Sequence, residues 1–136
     1  MASELKVDKF TGVTTAGSID VTGEGNSTTT NLQQGLAKVW GNLDGTGTIA
    51  IRASFNIASA VDENTGYYTF NYTNDMSNDD YSANESVSET SGFEGHMNRY
   101  PAIDGVATNK ITFGATFSSS NQDVDELYVT IFGDLA

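Results

Sequence analysis

From Leu36 onward, apolar residues recur at every second position in short runs separated by turn-forming residues. A period of two places one face of an extended strand in a core and the other in solvent. In Thr48–Phe55 the expected inward set is Ile49, Ile51, Ala53 and Phe55. In Tyr67–Thr73 it is Tyr68, Phe70 and Tyr72, and in Tyr81–Val87 it is Tyr81, Ala83, Glu85 and Val87. Lys110–Phe117 places Ile111, Phe113, Ala115 and Phe117 on one face. Leu36, Lys38 and Trp40 form another row, and its last member is expected in the core. Leu127, Val129 and Ile131 alternate with Tyr128, Thr130 and Phe132, so both faces of that strand are apolar and it should be central or buried by a neighbouring subunit.

Turn chemistry marks the breaks. Asn42–Gly47 holds an Asp-Gly pair, and Asp62–Gly66 reads as a five-residue hairpin loop. Ser88–Asn109, with glycines at 92, 95 and 105 and the only proline, Pro101, reads as a long loop. No window keeps a helical period over three turns; the best helical candidate, Asn31–Trp40, is interrupted by Gly35. The pattern predicts an all-β fold: an antiparallel β-sandwich of about seven strands with an extended N-terminal arm.

The first 35 residues differ. Leu5, Val7, Phe10, Val13, Ile19 and Val21 are nearly their whole apolar content, with short strands expected near Leu5–Val7 and Ser18–Thr22. Residues 22–35 are polar and carry three glycines, which suits a linker. The expected organisation is therefore an attachment arm and polar linker over 1–35 and a β-sandwich domain over 36–136. Such an arm needs a partner to bury its apolar side chains. Only 38% of the 136 residues are hydrophobic, while 56 are Gly, Ser, Thr or Asn, so the core is thin and association with other copies is expected. The 10% aromatic content separates the chain from a disordered acidic tail.

Composition removes several function classes. There is no cysteine and one histidine, His96, which excludes disulfides and multi-His or Cys-based metal sites. The net charge of −12 argues against nucleic acid or an anionic membrane surface as partner. No apolar run spans a bilayer and no basic leader precedes one, so neither a membrane segment nor a signal peptide is expected. His96 with Asp104, Ser91 or Ser118 could be imagined as a hydrolytic set, but no G-x-S-x-G elbow accompanies it. Asp75, Asp79 and Asp80, or Asp123, Asp125 and Glu126, could supply paired carboxylates or calcium ligands, yet all sit in polar turns without a defined loop pattern. No enzyme, cofactor or metal site is expected. Between Arg52 and Arg99 lie eight acids and no base, which gives one region strong negative potential. Phe93, Arg99 and Tyr100, in the irregular loop, are the candidate contact residues.

Gly35-Leu36-Ala37-Lys38-x-Trp40, then Gly45-Thr46-Gly47 before an Ile-x-Ile-Arg-x-Ser-Phe-Asn strand, and Thr65-Gly66-x-Tyr68-Thr69-Phe70 ahead of Met76 resemble a module of tail-fibre and other virion structural proteins of tailed bacteriophages, particularly phages of marine bacteria. The ending Ile131-Phe132-Gly133 fits the same pattern. Leu43 stands where such sequences tend to carry an aromatic, and Ser77 where they often have proline. Residues 3–21 are similar to the short N-terminal attachment segments of fibre proteins.

The resemblance implies a non-enzymatic virion component, a homotrimer. It implies an arm that anchors to other phage virion proteins of tail or capsid through Leu5, Val7, Phe10, Ile19 and Val21. The β-domain would then face a host cell-surface glycan or protein. A capsid decoration protein with a purely structural role is the alternative, and a carbohydrate-active enzyme a remote one.

Overall fold

The structure, a computed structural model, describes residues 4–13, 19–23, 29–88, 105–117 and 120–136, with 116 and 117 as backbone only. The chain divides into two compact units, Met1–Leu36 and Ala37–Ala136.

In the first unit β1 (Asp20–Thr22) pairs antiparallel with β2 (Thr29–Asn31), Val21 opposite Thr30. The stretch expected to be a linker thus returns a strand onto the segment before it. A single helical turn follows, α1 (Leu32–Gly35), capped by the Asn31 side chain, which accepts from the Gln34 N–H at 3.1 Å. The strand expected near Leu5–Val7 is not formed, and none of the unit's described residues is buried.

The second unit carries the strands β3 (Val39–Asp44), β4 (Ala50–Phe55), β5 (Ile57–Asn64), β6 (Tyr67–Tyr72), β7 (Ser82–Ser88), β8 (Val106–Ala107), β9 (Lys110–Gly114), β10 (Thr116–Phe117), β11 (Ser120–Asn121) and β12 (Glu126–Phe132). Eight of them form two four-stranded antiparallel sheets, β4-β3-β12-β7 and β5-β6-β9-β8, and β10 and β11 form a short ribbon. The fold is an all-β sandwich. Its core lies between the sheets: Val39, Leu43, Leu127, Val129 and Ile131 meet Tyr68, Phe70, Tyr72, Ile111 and Phe113, closed off by Met76, Ala115 and Val124. The rings of Phe70 and Phe113 pack edge to face with centroids 6.2 Å apart.

β12 is central, flanked by β3 and β7, with Leu127, Val129 and Ile131 buried on one face and Tyr128 exposed on the other. β4 and β5 are separated by Asn56 alone, and there the chain passes from one sheet to the other. Asn56 sits at φ 59°, a left-handed conformation that asparagine tolerates, and its side chain accepts from the Asn74 N–H at 2.8 Å. The hairpin after β5 is tighter than expected: the strands run to Asn64 and from Tyr67, leaving Thr65 and Gly66 as the turn. Gly66 adopts φ 72°, and a Cβ there would stand 2.5 Å from the Ala115 carbonyl oxygen. Val106 and Ala107, within the expected long loop, pair with Ile111 and Lys110.

Two expected core rows are corrected. In β3 the buried positions are Val39, Gly41 and Leu43, and Trp40 lies on the other face, 43% exposed. The glycine conceals the inward row from a hydropathy reading. A Cβ at 41 would come within 2.5 Å of Ile57 Cδ1, the tip of a side chain from the other sheet, which would have to shift. In β4 all six residues are exposed, Phe55 at 50%. A bulge in the β3–β4 register falls opposite Asn42 and Leu43. One extra residue exchanges faces, so Ile51 stays opposite Leu43 while Ala53 and Phe55 stand beside Asn42 and Trp40 on the outer surface. Phe117's side chain lies outside the described residues.

Candidate functional site

The outer face of the β4-β3-β12-β7 sheet collects what the core leaves out. Phe55, Trp40 and Thr130 lie directly across from one another on β4, β3 and β12, and Ala53, Asn42 and Tyr128 form the next row. Directly opposed side chains on one face are about 4.5–5.5 Å apart at Cβ, and diagonal ones about 7–8 Å. Trp40 and Phe55 are thus cross-strand neighbours, and Tyr128 (37% exposed) stands diagonally from Trp40. Three partly exposed aromatic side chains share one sheet surface.

A polar network borders them. Arg52, at the bulge, donates from Nη2 to Asp44 Oδ2 and from Nη1 to Glu126 Oε1, each at 2.9 Å. Asp44 Oδ1 accepts from the Thr46 N–H at 3.0 Å and from the Thr46 hydroxyl at 2.7 Å. The Tyr128 hydroxyl donates to Glu126 Oε2. The Thr46 hydrogen bonds, followed by the Arg52 guanidinium, hold the Asp44 carboxyl below its ordinary range. Asp44 in turn raises Arg52, and the hydrogen bond to Glu126 raises the Tyr128 phenol. Solvent-exposed ion pairs add little stability. Their consequence here is positional, since they fix a guanidinium and two carboxylates in one layer beside the rings. Between Trp40 and Asp44, the Asn42 Oδ1 is shielded and has no hydrogen-bond partner among the described residues.

The expected anchoring residues are placed individually. Leu5, Val7, Phe10 and Val21 are 74%, 46%, 61% and 51% exposed, and Ile19 is half-buried. Ile19 contributes its carbonyl to the Leu32 N–H at 2.8 Å. These side chains do not gather into a cluster of buried residues. Phe93, Arg99, Tyr100 and His96 lie outside the described residues.

One acidic turn residue, Asp123, has a structural role. Asp123 Oδ1 accepts from the Gly66 N–H at 2.7 Å and lies 3.1 Å from the Tyr68 hydroxyl, tying the β5–β6 turn to the segment before β12. Among the described residues no three or more His, Cys, Asp or Glu side chains gather as a metal site. Within those residues, too, no helix is long and apolar enough to cross a membrane. Alternation alone places Trp40 and Phe55 inward, which hides the aromatic face in the sequence. The available signal was the Val39-Gly41-Leu43 row.

Comparison with family models, with curated proteins and with solved structures found no match to this chain.

Proposed function

We propose that this chain is a virion structural protein of a tailed bacteriophage, a small fibre or knob that anchors through residues 1–35 and presents the sandwich outward for contact with a host surface. The observation that carries the reading is the first unit: its apolar side chains, Leu5, Val7, Phe10 and Val21, are exposed, and none of its described residues is buried. Apolar side chains held in this way gain their burial on docking, when an ordered arm supplies contact area. The sequence resemblance of residues 35–76 to tail-fibre modules supplies the class of particle. The exposed aromatic face of the sandwich suits the outward role, because Trp and Tyr anchor recognition surfaces.

A homotrimer is part of the proposal. It would bury apolar side chains such as Val61 (41% exposed) and Ile51 (36% exposed) on the edge strands β5 and β4, which otherwise stay open to solvent. The test is a chain starting at Leu36, compared with the full chain for thermal melting and for incorporation into particles. The expected result is a cooperative melt close to the full chain's and loss of incorporation. Normal incorporation without residues 1–35 overturns the anchoring role.

A further inference from the structure

We infer that the outer face of the β4-β3-β12-β7 sheet is a binding platform for a neutral oligosaccharide. The inference deepens the host-contact role proposed above and rests on it for its biology, whereas the binding itself is a property of the isolated chain.

The argument starts from residues the fold does not use. β3 completes its inner row with Val39, Gly41 and Leu43, and the opposing sheet packs against those positions. Trp40, Phe55 and Tyr128 contribute nothing to that core, yet they occupy one surface on three consecutive strands. An exposed aromatic cluster of this kind marks a contact site. Beside it stands a polar layer, the Arg52 guanidinium joined to the Asp44 and Glu126 carboxylates at 2.9 Å each before any ligand arrives. Preorganised groups lose little entropy on binding.

A pyranose ring has the matching chemistry. Its axial C–H groups present an apolar face that lies on an aromatic ring, and its equatorial hydroxyls point outward to planar donors and acceptors. Trp40 and Phe55 offer one stacking place and Tyr128 a second, diagonal one, which suits consecutive rings of a chain better than a single sugar.

Charge selects among occupants. Residues 37–136 hold four basic and fourteen acidic residues, a net charge of −10. On the face itself the Arg52 cation is already balanced by two carboxylates. Polyanions are repelled by so acidic a unit, while a neutral glycan meets no such penalty.

Trp40 is the only tryptophan in the chain, so its fluorescence reports on this face directly. The full chain is titrated with maltohexaose, cellohexaose, xylohexaose and chitohexaose as neutral probes and with heparin as the anionic one. At least one neutral hexasaccharide should shift the Trp40 emission saturably, and heparin should not. Calorimetry with that sugar should show affinity at least tenfold weaker in Phe55→Ala and Trp40→Ala, with unchanged far-UV circular dichroism. Absence of a saturable shift with every neutral probe overturns the inference. So does unaltered affinity in both variants, or an emission shift that follows protein concentration alone, which would make the face an interface between copies. Glycan binding by a chain that is absent from phage particles would leave this inference standing and remove the role proposed above.

Discussion

Replacing Tyr68 with phenylalanine tests how the sandwich is closed at one end. The Tyr68 side chain is fully buried, and its hydroxyl lies 3.1 Å from the Gly45 carbonyl oxygen and 3.1 Å from Asp123 Oδ1. It also accepts from the Val124 N–H at 3.3 Å. One oxygen therefore joins the loop after β3, the segment before β12 and, through Asp123, the β5–β6 turn. Tyr68→Phe keeps the ring and strands the Val124 donor in a buried site. An orphaned buried donor costs about 1–3 kcal/mol, and losing a bond to a charged acceptor about 1.5–3 kcal/mol. Asp123 keeps its bond from Gly66, so the losses are partial and the expected destabilisation is about 2–4 kcal/mol. For a domain of about 100 residues, at roughly 4 °C per kcal/mol, the melting temperature should fall by roughly 8–16 °C. Urea denaturation followed by circular dichroism should give a lower midpoint with an unchanged slope. Gly45→Ala presses on the same hub, because its Cβ would lie 2.5 Å from Tyr68 Cζ. The double variant should therefore lose less than the two single losses added. A change in stability under about 0.5 kcal/mol for Tyr68→Phe would refute the reasoning, since it is below even a typical hydrogen bond's contribution.

Three further outcomes follow from the same geometry. Phe70→Ala should cost about 3–5 kcal/mol, the usual range for a core aromatic, while Trp40→Ala should cost under about 1 kcal/mol; equal losses in urea titrations would contradict the register of β3. Gly66→Ala should destabilise by more than about 1 kcal/mol, since its φ of 72° is unfavourable for alanine and the added Cβ meets the Ala115 carbonyl oxygen; an unchanged midpoint would refute it. Burial raises the Tyr68, Tyr72 and Tyr81 phenols above the ordinary value of 10.0. Groups whose folded values are raised stabilise the fold fully below the unfolded value and lose that contribution as pH climbs through the folded one. Absorbance titration at alkaline pH should then show these phenols ionising together with loss of β-structure, and ionisation near pH 10 in the folded state would contradict it.

The strands with uninterrupted alternation were legible in the sequence. Tyr68, Phe70 and Tyr72 face inward as their spacing requires, and so do Ile111 with Phe113 and Leu127 with Val129 and Ile131. What was not legible depends on pairing rather than on local pattern. Gly41 occupies an inward position beside the Ile57 side chain from the other sheet, and hydropathy assigns no weight to a glycine. The bulge opposite Asn42 and Leu43 exists only between two strands, so the exchange of faces at Ala53 and Phe55 leaves no trace in β4 itself. Those two local events together put Trp40 and Phe55 outside. Glu85, read as an inward position of its strand, is indeed buried, with Val87 half-buried and Ala83 exposed on the same row of an edge strand. The closure of the hairpin at Asn64 rather than Asp62 is the same kind of difference, since the ladder extends as far as its partner allows.

Membership in a phage particle, as proposed above, is tested by protein mass spectrometry of gradient-banded particles. Particles released from cells that produce this chain should contain its peptides at a fixed ratio to the other structural proteins, in copy numbers divisible by three. Peptides recovered from the cell lysate but absent from the banded particles would contradict the account.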